Sequence, residues 1–79
     1  MRVFSKTNMQ KNILLVLGAN LKQIRTKAGL SIKELSDRSR VSKDTISSVE
    51  AGRTNPLFST IYKVASALKS TPSSLCKGF

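Results

Sequence analysis

Residues 31–52, SIKELSDRSRVSKDTISSVEAG, contain two helix starts separated by a turn only a few residues long. Ser31 is placed to cap the first helix, and Glu34, three residues on, completes a capping box. Leu30 before the cap and Leu35 inside the helix have the spacing of a hydrophobic staple. The same device then repeats. Ser42 is the next cap, Val41 and Ile46 the next staple, and Asp44 sits in the first turn, where the helix dipole favours a carboxylate. Gly52 is positioned to stop the second helix in a left-handed conformation. Two short helices on so tight a connection must cross steeply, the geometry of a helix-turn-helix.

Outward from this motif the chain reads as five helices. The first is expected from about Asn12 to Ala28, because Leu14, Leu17, Leu21, Ile24 and Ala28 recur as a buried helical stripe, with Gly29 ending it. Gly18 interrupts that stripe at a small cost and leaves open a start at that point. The two motif helices are expected over Ile32–Ser39 and Lys43–Ala51, and Asn55-Pro56 marks the loop that follows. A fourth helix, about Ser59 to Leu68, has Ile61, Val64, Ala65 and Leu68 at core spacing. Thr71-Pro72 reads as a cap with proline at the first helical position, opening a short fifth helix that uses Leu75. Residues 1–12 are read as an N-terminal extension and 13–79 as one domain.

Composition narrows the function. Fourteen lysines and arginines against four acidic residues give a net charge of +10, which calls for a polyanionic partner. A helix-turn-helix can push its second helix into a DNA major groove, so motif and charge point to the same ligand. There is no histidine, and the single cysteine, Cys76, supports neither an internal disulfide nor a metal site. The four carboxylates are accounted for by caps, dipole and ion pairing, so an enzyme is the poorest reading, and no cofactor is implied. The apolar run from Ile13 to Leu17 is far too short to span a bilayer and belongs to the first helix, so a cytoplasmic protein is expected.

The chain closely resembles the XRE family of helix-turn-helix proteins, the phage repressor and Cro-like group. The likeness is carried by Leu17-Gly18, LKQIRTKAGLS (21–31), KEL (33–35), VSKDTISSVEAGR (41–53), Thr54-Asn55-Pro56 and IYKVASALKSTPSSL (61–75). It runs in order from Leu17 to Leu75. The resemblance implies an all-α, compact five-helix, lambda-repressor-like DNA-binding domain.

Ile46 and Val49 should face the core, which leaves Lys43, Asp44, Ser47 and Ser48 outward and Thr45 at the leading edge. By resemblance, the base-contacting positions are Ser42, Lys43, Asp44, Thr45 and Ser48. Lys43 has the chemistry to donate to guanine, Asp44 to accept from a cytosine amino group, and the Thr45 methyl to meet that of thymine. Two plainer alternatives stand beside these: Asp44 serving only the helix dipole, and Lys43 touching only phosphate. Phosphate contacts are expected from helix N-termini and from Lys33, Arg38, Arg40, Arg53 and Asn55, with Lys63, Lys69 and Lys77 on a remote solvated face. The resemblance also pairs Arg25 with Glu50 in a partly buried ion pair, architectural first, with a phosphate role for Arg25 as the weaker alternative.

Three positions depart from the family pattern. Ile32 stands where glutamine commonly contacts phosphate, Arg40 where glycine usually makes the turn, and Ser36 where alanine is common. If Arg40 adopts positive φ, it costs roughly 1 kcal/mol relative to glycine.

Family members commonly bind two-fold operators as dimers, so a homodimeric repressor on double-stranded DNA is the preferred function. Two surfaces compete for the dimer contact. One comprises Leu57, Phe58, Ser70 to Leu75 and Phe79; the other is the apolar N-terminal segment with Val3, Phe4, Met9 and Ile13 to Leu17. The alternative function is a protein-interaction module, such as an antitoxin-like chain that masks another, acidic protein.

Overall fold

The computed structural model describes the backbone of residues 3–75 and the side chains of 12–71 and 73–75. The expectations on Val3, Phe4, Met9, Cys76, Lys77 and Phe79 fall outside the described side chains. Five helices follow one another: α1 (Val3–Lys27), α2 (Ile32–Ser39), α3 (Lys43–Glu50), α4 (Phe58–Ala67) and α5 (Pro72–Leu75). No described helix is long and apolar enough to cross a membrane.

The expected order and number of elements hold, and α2 has the expected bounds. α1 differs: it begins at Val3 and passes through Gly18 without a break. Residues 3–11 contain no glycine or proline, so nothing in the backbone chemistry stops the helix from growing towards the N-terminus. Ala28 is exposed and lies just beyond the helix, in the turn that Gly29 closes, and does not extend the buried stripe.

The cap at α2 is a complete capping box. The Glu34 amide donates to Ser31 Oγ at 3.0 Å, and the Ser31 amide donates to Glu34 Oε1 at 2.8 Å. The bond from the Ser31 amide, with the Ser31 hydroxyl beside it, holds the Glu34 carboxyl below the usual carboxylate range.

Every helix contributes to one core: Leu17 and Leu21 from α1, Leu35 from α2, Ile46 and Val49 from α3, Val64 and Ala65 from α4, Leu75 from α5, with Val41 from the turn. Ile24, Ile61 and Leu68 pack around it half-buried. Asn20 on α1 donates from Nδ2 to the Leu75 carbonyl at 2.8 Å, which fastens α5 to α1.

The crossing of α1 over α3 is closer than side chains normally permit. A Cβ built at Gly18 would meet the carbonyl oxygen of Val49 and lie 2.6 Å from that of Glu50. A Cβ at Gly52 would lie 2.7 Å from Leu15 Cδ2. Gly18 is therefore the contact point of two backbones, which its helical spacing alone does not disclose.

Each long element stops in a left-handed residue. Two of these are glycines, Gly29 at φ 75° and Gly52 at φ 73°. The other two are Arg40 at φ 63° and Lys69 at φ 55°. After Lys69, the Ser70 amide donates to the Ala65 carbonyl at 2.8 Å, the closure pattern usually assigned to glycine.

Gly18→Ala is expected to lower the unfolding free energy by about 1–3 kcal/mol, because rigid backbone must shift to admit the methyl. Lys69→Gly should act oppositely, by roughly 0.5–1 kcal/mol: a left-handed penalty of about 1–2 less the unfolded-chain freedom of about 0.5–1 that glycine gains. Urea midpoints of the two variants check both signs; a neutral Gly18→Ala would mean that the helices cross with room to spare.

Candidate nucleic-acid interface

The exposed face of α3 is set by which residues the core takes. Ile46 has no exposed surface and Val49 is buried, so the helix can rotate only slightly about its axis. Lys43, Asp44 and Ser47 then stand in solvent, while Thr45 and Ser48 are half-buried.

Ser42 and Thr45 are turned onto each other. Ser42 Oγ accepts from the Thr45 amide at 3.1 Å and donates to Thr45 Oγ1 at 2.8 Å. Their hydroxyls thus close the N-terminus of α3 in the free protein, and a base contact from either would share or replace this pair. Lys43 and Asp44 have no such engagement; both lie in the first turn after the cap, where the exposed amides of the helix carry partial positive charge. Ser47, which lies outside the base-contacting set carried over by resemblance, is more open than Ser48.

All five expected phosphate ligands, Lys33, Arg38, Arg40, Arg53 and Asn55, are exposed. Lys33 Nζ lies 3.4 Å from Asp37 Oδ2, a solvent-exposed pair that a phosphate would displace at little cost. Arg53 is held relative to α3, since its amide donates to the Ser48 carbonyl at 3.0 Å and so finishes the helix.

Arg25 and Glu50 form the expected pair, with a geometry more complete than a single bridge. Nε and Nη2 of Arg25 donate to Oε2 and Oε1 of Glu50 at 2.6 and 3.0 Å, a fork-to-fork arrangement. Nη1 donates to the Leu30 carbonyl at 2.8 Å. Arg25 is 9% exposed. The hydrogen bonds to Glu50 outweigh burial and raise the Arg25 pKa, so the guanidinium stays charged. With every guanidinium nitrogen engaged, the structure gives Arg25 an architectural role: it joins α1 to the end of α3 and to the residue that precedes the α2 cap.

Two short helices on a three-residue turn, a solvent-facing polar second helix and the arginines around it define a helix-turn-helix DNA-binding regulator. The helix-turn-helix family HTH_3 matches residues 21–75, and the chain belongs to that family, whose members are DNA-binding regulators and not enzymes. An uncharacterized HTH-type transcriptional regulator of Sinorhizobium fredii, y4dJ, is 40% identical over 53 residues, which span 67% of this chain and 69% of that one. The restriction-modification controller protein C.AhdI of Aeromonas hydrophila has a similar structure, with a TM-score of 0.76 at 34% identity over 78% of this chain and 94% of that one. An HTH_3 family transcriptional regulator of Vibrio cholerae gives a TM-score of 0.80 at 27% identity over 84% of this chain; the match spans only 37% of that longer chain.

Removing Arg25 strands the Glu50 carboxylate in a nearly closed site, so Arg25→Ala is expected to cost roughly 3–5 kcal/mol. Arg25→Met combined with Glu50→Leu should recover most of that loss, since neither charge is then left unpaired. Thermal unfolding of the single and double variants decides the matter; equal losses would mean that the pair contributes by shape and not by charge.

Proposed function

We propose that this protein binds double-stranded DNA sequence-specifically as a homodimer and represses transcription by occupying an inverted-repeat operator. The observation that carries this reading is the polar, unobstructed face of α3, with Lys43, Asp44 and Ser47 in solvent and Arg53 fixed at its far end. On this reading Ser42, Lys43, Asp44, Thr45 and Ser48 approach base edges. Lys33, Arg38, Arg40, Arg53 and Asn55 hold the phosphates on either side. Lys43 reads guanine through O6 and N7, and Asp44 discriminates for cytosine and against a nearby phosphate. Control of transcription by the relatives supports the regulatory role.

The dimer contact is assigned to the start of α4. Leu57 is 73% exposed and Phe58 69%, adjacent large apolar side chains that water penalises in a monomer. Leu57 also occupies the N-cap of α4, where it makes no side-chain hydrogen bond. Leucine there forgoes about 1 kcal/mol that serine or aspartate would supply. Leu75, once a candidate for this surface, is 1% exposed and belongs to the core.

Selection of bound fragments from random DNA should return an inverted repeat with half-sites about one helical turn apart. Lys43→Ala should then relax preference at one base position, whereas Arg53→Ala should weaken all sequences alike and reduce the salt slope by about one. Equal loss on operator and random DNA for both variants would remove the base-reading role of Lys43.

Leu57→Asp is expected to give a monomer that keeps its helix content, because aspartate supplies the missing cap while its charge opposes self-association. Sedimentation equilibrium tests this directly. A variant that remains dimeric would move the contact elsewhere on the chain.

A further inference from the structure

The last turn of α2 and the C-terminal half of α4 border a shallow, open cleft of about 390 Å³, which joins Arg38 and Arg40 of the proposed phosphate contacts to side chains of α4 that the DNA-binding reading does not use. Arg38 and Arg40 line one side, and Tyr62, Lys63, Ser66 and Ala67 the other. Lys63 is separated by more than twenty residues from the arginines, so no local sequence signal joins them.

The electrostatics of this cleft are one-sided. The chain has four acidic side chains, all of them among the described residues. Glu50 is held by Arg25, Asp37 by Lys33 and Glu34 by the Ser31 cap, while Asp44 stands in the first turn of α3. Arg38 lies close enough to Glu34 to help lower its pKa, yet neither Arg38, Arg40 nor Lys63 forms a salt bridge within the described residues. Some of this charge complements the C-terminal dipole of α2. That reason does not extend to Lys63, in the middle of α4. Nor does it require an arginine at position 40, whose backbone sits at φ 63°, where a glycine would be unstrained. Strain kept at a charged surface residue points to a use for the charge. Tyr62, 57% exposed, adds an aromatic ring to the same lining.

The side chains on α4 separate the possible anions. Arg38 and Arg40 belong to the proposed phosphate contacts, whereas Tyr62 and Lys63 lie outside that set. We infer that the α2–α4 cleft docks an acidic segment of a partner protein, with carboxylates on Arg38, Arg40 and Lys63 and an apolar side chain against Tyr62. Arginine forks pair carboxylate and phosphate alike, so the preference comes from the aromatic ring, which adds contact area that a bare phosphate would leave unused. Arg38 and Arg40 are shared with the proposed phosphate contacts, so this partner and DNA compete for them.

The test uses Tyr62→Ala with Lys63→Glu, measured by fluorescence anisotropy against a labelled helical peptide of glutamate, aspartate and leucine. Lys22→Glu, on the exposed surface of α1, makes the same change in net charge and serves as control. Tyr62 and Lys63 are both exposed, so the cleft variant should melt near the wild type and remain interpretable. The expected result is peptide affinity lowered about tenfold or more in the cleft variant, little change in the control, and wild-type DNA affinity and salt slope in both. Equal loss in cleft and control variants would reduce the effect to net charge and overturn the proposal. So would undetectable peptide binding by the wild type. A salt slope on DNA reduced by about one or more in the cleft variant would place Lys63 in the DNA interface and overturn the proposal as well. The peptide titration reads the cleft independently, so loss of DNA binding by the wild type would fail the proposed function and leave this inference to its own result.

Discussion

The placement of both motif helices depends on one guanidinium. Arg25 spends Nε and Nη2 on Glu50, the last residue of α3, and Nη1 on the carbonyl of Leu30, the residue before the α2 cap. An ordinary apolar contact would hold α1 against its neighbours but leave them free to slide. Three directed hydrogen bonds from one planar group fix distance and angle together. The charge is nearly closed off from water, so its partners cannot be exchanged for solvent without a large penalty. Gly18 serves the same crossing by another means, since the absence of a side chain lets α1 rest on the backbone of α3. An inflexible crossing of this kind lets a face of three polar residues present a defined pattern to a ligand.

Elsewhere the chain departs from what stability alone favours, and the departures fall at its surface. Leu57 occupies an N-cap without capping, and Arg40 occupies a left-handed position without being glycine. Each places a large apolar or charged group in solvent at a cost of about 1 kcal/mol. These losses are small beside the burial of Leu35, Ile46 and Leu75, none of which exposes more than 1% of its surface. The core thus tolerates an exterior shaped for contacts with other molecules. Lys69 is a second left-handed residue outside glycine, and no contact in the structure explains its side chain there.

Much of the fold was legible because its signals are local. The capping box at Ser31 and Glu34, the cap at Ser42 and the stop at Gly52 each depend on residues a turn apart, and all three form as read. The core positions Leu35, Ile46, Val49, Val64 and Ala65 follow from helical periodicity for the same reason. The start of α1 was not legible, because no breaker marks it and periodicity shows only where a helix is buried. The left-handed stop at Lys69 escaped because its signal, glycine, is absent. The pairing of Arg25 with Glu50 was visible only through family resemblance, since nothing in the spacing of two residues 25 apart requires them to meet.

By itself, then, the sequence determined the helices, their order, the buried stripe on each and the basic balance that calls for a polyanion. These follow from hydrogen bonding and apolar spacing within a few residues. Tertiary structure alone decided how close α1 lies to α3, which hydroxyls of the recognition helix are already engaged, and that Lys63 shares a cleft with Arg38 and Arg40. Each of these is a relation between elements far apart in the chain, fixed by packing in three dimensions, where sequence spacing carries no distance.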